Sequence, residues 1–410
     1  MTWSSALAPL REAGFAWYFA SRFVNTLGVM MASIALTFAV LDLPGATATD
    51  LGLVLAARTL PMVLLMLWGG VLSDRLPRTL VLQVSNLASA LSQGLIAALV
   101  LTGRAELWSL AALAAVQGAV SAAGMPAMAS VVVQLVPRSQ LQPANTLLSL
   151  SRNGLTVLGP TVGALIVVAL GPGWALAIDA GTWLVSALLL VPVRLPARER
   201  GATTSMVAEL REGWTFFRTT GWLWTVVLAF GALNAIHAGA FLTLGPVVAE
   251  DTIGRQGWGY VLSAEALGLV AMGVVLLRVR LERPLLWGMA CIAAAGLPIL
   301  ILGLDPRLAV LVVTAFVAGA GIEVFSLGWN LAMQENVDEQ MLSRVFSYDY
   351  LGSIIAIPLG QIAYGPLGEW LGMAPVLVAS GVAYAAICLL VLCSRSVRTL
   401  PRRDLADVAG

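Results

Sequence analysis

The sequence predicts an all-α membrane protein of twelve transmembrane helices, arranged as two pseudo-symmetric six-helix bundles. Three observations carry this. Of the 410 residues, 59% are hydrophobic and 11% charged, whereas soluble domains carry roughly 25% charged residues to clothe a wet surface. The apolar residues run in blocks of about 20, long enough to cross the roughly 30 Å hydrocarbon core as helices. The second half of the chain also echoes the first. No stretch shows the short dyad alternation of a membrane β-barrel, and only helices or closed barrels satisfy their backbone groups in lipid.

The predicted spans are 15–41, 51–72, 80–101, 108–135, 144–170, 174–193, 222–249, 258–278, 285–304, 308–333, 344–368 and 373–393. The first is too long for a signal-peptide core, and no cleavage site follows it, so it is read as a retained helix. An even number of spans puts both termini on one side. Every basic residue other than His237 is arginine, 23 in all. With the termini inside, seventeen fall in cytoplasmic segments, three (Arg104, Arg255 and Arg307) in the opposite loops, and Arg22, Arg58 and Arg152 within spans. The positive-inside rule therefore makes the termini cytoplasmic. The expected organisation is a bundle over 1–193, a polar arginine-rich central loop over 194–221, a second bundle over 222–393 and a cytoplasmic tail over 394–410.

The repeat has an offset of about 201 residues. Val136, Leu141, Leu158 and Gly159 recur as Val337, Leu342, Leu359 and Gly360. Parallel six-helix repeats are a transporter architecture, with the substrate site between the halves.

After span two comes Gly70-Val71-Leu72-Ser73-Asp74-Arg75-Leu76-Pro77-Arg78, a tight turn with one acid and two arginines. It resembles the signature loop of the major facilitator superfamily, although Pro77 replaces a glycine and Thr79 the last basic residue. Span five holds Gly159-Pro160-Thr161-Val162-Gly163-Ala164, a kinking, close-packing sequence. It is similar to the helix-five motif of that family's drug/proton antiporters. Leu135 to Arg138, Asn145 to Asn153, and Gly321 to Phe325 through Arg344-Val345-Phe346 resemble the siderophore-exporter and macrolide-efflux branch. The resemblance implies a bacterial inner-membrane exporter of small amphiphilic molecules (drug, antibiotic or siderophore), monomeric and driven as a proton antiporter. In helix four Gln117 and Gly118 of the motif remain, but Ala114 stands where the coupling arginine would fall, so coupling through that helix is not implied.

The resemblance also implies a central cavity lined by spans one, four, seven and ten. Those four carry polar or aromatic residues at helical spacing: Arg22, Thr26, Ser33 and Thr37; Gln117, Ser121 and Met128; Phe230, Asn234, His237 and Phe241; Glu323, Ser326, Asn330 and Gln334. Each set falls along one helical face. An ionisable residue inside a span costs roughly 2.5–3.5 kcal/mol on insertion scales and so needs a partner or a cavity. Glu323, deep in span ten, is the first candidate for proton carrier, with an ion pair to an arginine as the competing reading. Asp179 and Glu265 are weaker candidates, since solvent at the outer interface could reach both. His237 fits substrate binding, pH sensing or plain packing. Asp349, with Gly70, Asp74, Arg75 and Arg78, is assigned to a cytoplasmic gate. Phe230, Phe241, Phe325 and Trp329 offer an aromatic surface for an apolar ligand, or simply pack.

The same architecture would also serve a nutrient or organic-anion importer, which several matched cavity charges would favour; a non-transporting scaffold is the third alternative. The sequence holds one histidine, no metal-ligand cluster, no nucleotide loop and no catalytic constellation, so no cofactor, ATP, metal or nucleic-acid partner is expected, and no enzyme. Cys291, Cys388 and Cys393 lie in apolar blocks and form no disulfide framework.

Overall fold

The computed structural model describes residues 7–75, 78–137, 140–193, 214–276, 279, 281–337 and 339–400. The chain is helical nearly throughout and forms two compact units, Met1–Glu199 and Arg200–Gly410. In the first unit the helices are α1 (Ala13–Leu41), α2 (Ala48–Arg75), α3 (Arg78–Leu101), α4 (Leu107–Leu135), α5 (Leu141–Leu170) and α6 (Pro172–Leu190). In the second they are α7 (Gly221–Thr252), α8 (Gly254–Leu276), α9 (Pro284–Leu304), α10 (Leu308–Asn336), α11 (Glu339–Ile354 and Ile357–Leu371) and α12 (Met373–Val391). Among the described residues, eleven helices are long and apolar enough to cross a membrane, and Leu107–Ala122 of α4 is a shorter apolar stretch. The twelve-helix expectation agrees with this.

The two units repeat one packing pattern. In the first, α2 lies along α4, α3 along α6 and α1 along α5; in the second, α8 lies along α10, α9 along α12 and α7 along α11. The sequence offset recurs in the contacts. A Cβ on Gly118 of α4 would run into the backbone carbonyl oxygen of Arg58 on α2, and one on Gly319 of α10 would run into that of Glu265 on α8. Hydrogen at these two positions is what allows the helix backbones to touch. Gly118→Ala and Gly319→Ala are each expected to cost about 1–3 kcal/mol, as overpacking does, read as a lower unfolding temperature in detergent. Gly181 on α6, with open space where its Cβ would be, is the control expected to tolerate alanine.

The outward surface is apolar. Leu91, Leu188, Leu389 and Leu390 are each more than half exposed, and Trp370 is 81% exposed. A water-soluble monomer does not leave such extended apolar patches bare, but a lipid-facing belt requires them. Inside the first unit, Phe15 and Tyr18 of α1 pack with Val81 and Leu82 of α3, Val131 and Val132 of α4, and Leu190 of α6.

Three spans are broken, which hydropathy alone does not show. In α7 the segment His237–Leu244 is a π-helix just ahead of Pro246, α9 contains a 3-10 turn at Ala293–Ala295 just ahead of Pro298, and α11 is interrupted before Pro358. Proline has no N–H for the i−4 carbonyl, and its ring crowds that carbonyl. The backbone answers by changing its hydrogen-bond register locally.

Candidate functional site

In the second unit α7, α9, α10 and α11 enclose a cavity of about 270 Å³. Its walls are aromatic. Phe230 of α7 stacks on Phe325 of α10 with centroids 4.1 Å apart, and Trp329, one turn along α10, continues the stack at 6.1 Å from Phe325. Trp222 meets Trp329 edge-on at 5.7 Å and holds it from behind. Val226, Ile292 and Ile322 add aliphatic lining.

The polar groups of the cavity are few and organised. The Trp329 indole N–H donates to one oxygen of Asp349 at 2.9 Å, and the Ser353 hydroxyl donates to the other at 3.3 Å. Asn234 of α7 donates its amide to the Ser353 carbonyl at 2.8 Å and so ties α7 to α11. Asn330 donates to the Ser326 carbonyl of its own helix at 2.8 Å, and both residues line the cavity. Asp349, read from sequence as a gate residue, is therefore a wall residue of an aromatic cavity.

Other sequence candidates in this unit lie elsewhere. His237 opens the π-helix and packs its ring against Phe241 at 5.1 Å, and Phe241 in turn packs on Trp258 of α8 at 5.0 Å. Neither His237 nor Phe241 lines the cavity. Glu323 points toward α8: its carboxylate lies 3.3 Å from where a Cβ on Gly273 would stand. Glu265 is partly buried on α8 and, among the described residues, has no hydrogen bond or ion pair; its field reaches the buried Tyr384 of α12.

The first unit carries a charged centre of its own. Asp179 of α6 is fully buried, in contrast to the solvated position its place along the helix suggests. Gln93 of α3 donates to its carboxylate at 2.6 Å, and Thr182 donates to its backbone carbonyl at 2.7 Å. Arg58 of α2 is the cation whose field acts on it. Gly28 of α1 leaves the space they fill: a Cβ there would collide with both Thr182 and the Asp179 carboxylate. Nearby, Ser21 of α1, Asn86 of α3 and Ser186 of α6 form a second buried polar knot, with Asn86 donating to the Ser186 hydroxyl at 3.0 Å.

Arg22 donates to Asn25 at 3.1 Å. Gln117 is buried with its amide oxygen unpartnered among the described residues, while Ser121 donates back to the Gln117 carbonyl at 2.8 Å. Thr26 is half-buried on α1. On α5, Gly159 abuts Met30 and Gly163 abuts the Met31 backbone, flanking Pro160, so this motif seats α1 closely. The side chains of Gly70, Asp74, Arg75 and Arg78, and of Met128 and Gln334, fall outside the described residues.

Residues 18–360 match the sequence profile described as Major Facilitator Superfamily. The multidrug efflux pump Tap of Mycolicibacterium fortuitum is 26% identical over 344 residues, covering 80% of this chain and 82% of that protein. Macrolide efflux protein A of Streptococcus pyogenes is 23% identical over 334 residues, 79% of this chain and 81% of that one. Among solved structures, the nucleoside transporter NupG superposes with a TM-score of 0.72 over 93% of this chain and 98% of its own, at 13% identity. That likeness speaks for the fold alone.

Proposed function

The chain belongs to the Major Facilitator Superfamily, and on that premise we propose that it exports small amphiphilic molecules across the bacterial inner membrane, by alternating access and in exchange for protons. The observation that carries this is the aromatic cavity of the second unit. The stacked series Phe230, Phe325 and Trp329 along the cavity wall offers a planar apolar group contact area with little stereochemical demand. Sparse polar groups around such a surface favour an amphiphile over a sugar, whose hydroxyls each need a partner. The efflux activity in the names of Tap and macrolide efflux protein A, both matched over about four-fifths of this chain, points the same way.

In this reading the termini are cytoplasmic, the loop around Asp74, Arg75 and Arg78 gates the cycle, and Glu265, Glu323 and Asp179 are the carboxylates available for proton exchange. Inverted membrane vesicles energised by a proton gradient test it, with a panel of fluorescent amphiphiles and macrolides. Accumulation that an uncoupler abolishes is the expected result. Accumulation only in right-side-out vesicles would make the protein an importer instead.

A further inference from the structure

We propose that the cavity of the second unit is a binding site for a flat aromatic monocation, with Asp349 as its counter-charge. The inference rests on the reading that the chain moves amphiphilic small molecules, and it names the charge and shape of those molecules.

Two features of the site make the argument. The first is the carboxylate. Asp349 sits at the wall of an otherwise apolar cavity and accepts hydrogen bonds from Trp329 and Ser353, one on each oxygen. Both partners are donors, the pattern suited to an acceptor-only carboxylate. Neither partner is charged, and among the described residues no arginine forms an ion pair with Asp349. Asp349 is the second residue of the span Tyr348–Leu371 and part-buried against aromatic rings, and a carboxylate held there without a protein cation among the described residues is a site whose partner is to be named. The hydrogen bonds orient the carboxylate and, among the described residues, no cation compensates its charge, so a ligand cation is the partner that fits.

The second feature is the aromatic wall. Phe230, Phe325 and Trp329 line the cavity as a stacked series, and the ring faces that the stack leaves uncovered carry a negative quadrupole that attracts cations and repels anions. The residue that stacks therefore also orients the Asp349 carboxylate: Trp329 offers its face to the cavity's aromatic series and its N–H to the acid. A cavity of about 270 Å³ lies just below the roughly 300–1,000 Å³ of drug-sized pockets, which suits a compact fused-ring cation. A neutral ligand of the same shape would gain the stacking but not the charge pairing. An anion would meet both a like charge and the wrong face of the rings.

N-methylacridinium and acridine make the comparison direct, because they share a ring system and differ in charge at mildly alkaline pH. Binding to the purified full-length protein in detergent is read by the anisotropy of ligand fluorescence. The cation is expected to bind roughly tenfold or more tightly than acridine, from charge pairing in a low-dielectric site. Asp349→Asn keeps the size, still accepts from Trp329 and leaves the Ser353 hydroxyl to turn and accept from its amide; it should remove most of that preference while acridine still binds. Phe230→Ala, which leaves the Trp329 and Ser353 hydrogen bonds to the acid in place, should weaken both ligands, the cation somewhat more because it also loses a cation–π contact. Equal affinity of the native protein for the two ligands overturns the proposal, as does a preference that Asp349→Asn leaves undiminished. Binding of neither ligand also overturns it, and leaves the export reading to the vesicle experiment. Conversely, a cation preference in a protein that accumulates nothing would keep the site and remove the export direction.

Discussion

Asp179→Asn is expected to destabilise the first unit by about 1–3 kcal/mol, the cost of weakening buried hydrogen bonds to a charged group. The substitution keeps size and keeps an acceptor for the Gln93 amide, which lies 2.6 Å from the carboxylate. What it removes is the only charge among the described residues whose field opposes that of Arg58. Asp179 is on α6 and Gln93 reaches in from α3, with Arg58 of α2 as the nearby opposite charge, so this centre ties α3 to α6 at a point where Gly28 brings α1 into contact. Thermal unfolding in detergent, followed by size-exclusion recovery after heating, measures the loss. The double replacement Arg58→Met with Asp179→Leu should regain much of it, because exchanging a buried pair for packed apolar groups is often neutral or stabilising. A cycle of the two singles and the double isolates the pairwise energy. If Asp179→Asn unfolds at the native temperature, this centre does not brace the bundle. A stable double variant that no longer transports would place the pair in the transport cycle as well as in the fold.

The sequence made the helices legible and the breaks within them illegible, for one reason. Hydropathy reports how long a segment is apolar, and length decides whether it spans. It does not report hydrogen-bond register, so the π-helix at His237–Leu244 and the turn at Ala293–Ala295 passed unseen, although Pro246 and Pro298 stood just beyond them. The repeat was legible because the same packing recurs, down to Gly118 and Gly319 against neighbouring carbonyls. On α10 the polar stripe drew attention to Glu323, Ser326 and Asn330. The direction that faces the cavity is instead set by Ile322, Phe325 and Trp329, about a third of a turn from Glu323 at roughly 100° per residue. Ser326 and Asn330 are near enough to that direction to line the wall; Glu323 faces Gly273. For Asp179 the position along the helix gave depth but not azimuth. The available signal was Arg58, an opposite charge at the outer end of another span, which sequence reasoning placed without pairing.

Glu265→Gln is expected to abolish proton-driven accumulation while leaving substrate binding and substrate exchange intact. The two units supply the contrast behind this. Arg58 on α2 and Glu265 on α8 occupy corresponding places, each with its carbonyl against the glycine of the partner helix. In the first unit the charge at that place has a counter-charge, Asp179. In the second, the neighbour across the bundle is Tyr384, a buried phenol, and among the described residues the carboxylate has neither an ion pair nor a hydrogen bond. A charge with an opposite charge in its surroundings has its cost offset, whereas a buried carboxylate without one is the kind of group that serves proton relays. Glutamine preserves its volume and polarity and removes the group that can take up and release a proton. Asp179→Asn should therefore lower stability, whereas Glu265→Gln should leave the unfolding temperature near the native value. The measurement pairs two assays on the same proteoliposomes: uptake driven by an imposed pH gradient, and exchange of internal for external substrate with no gradient. Loss of the first with survival of the second assigns coupling to Glu265. Survival of both removes Glu265 from the mechanism and moves the test to Glu323→Gln, the carboxylate on α10 that faces the same helix, α8, at Gly273.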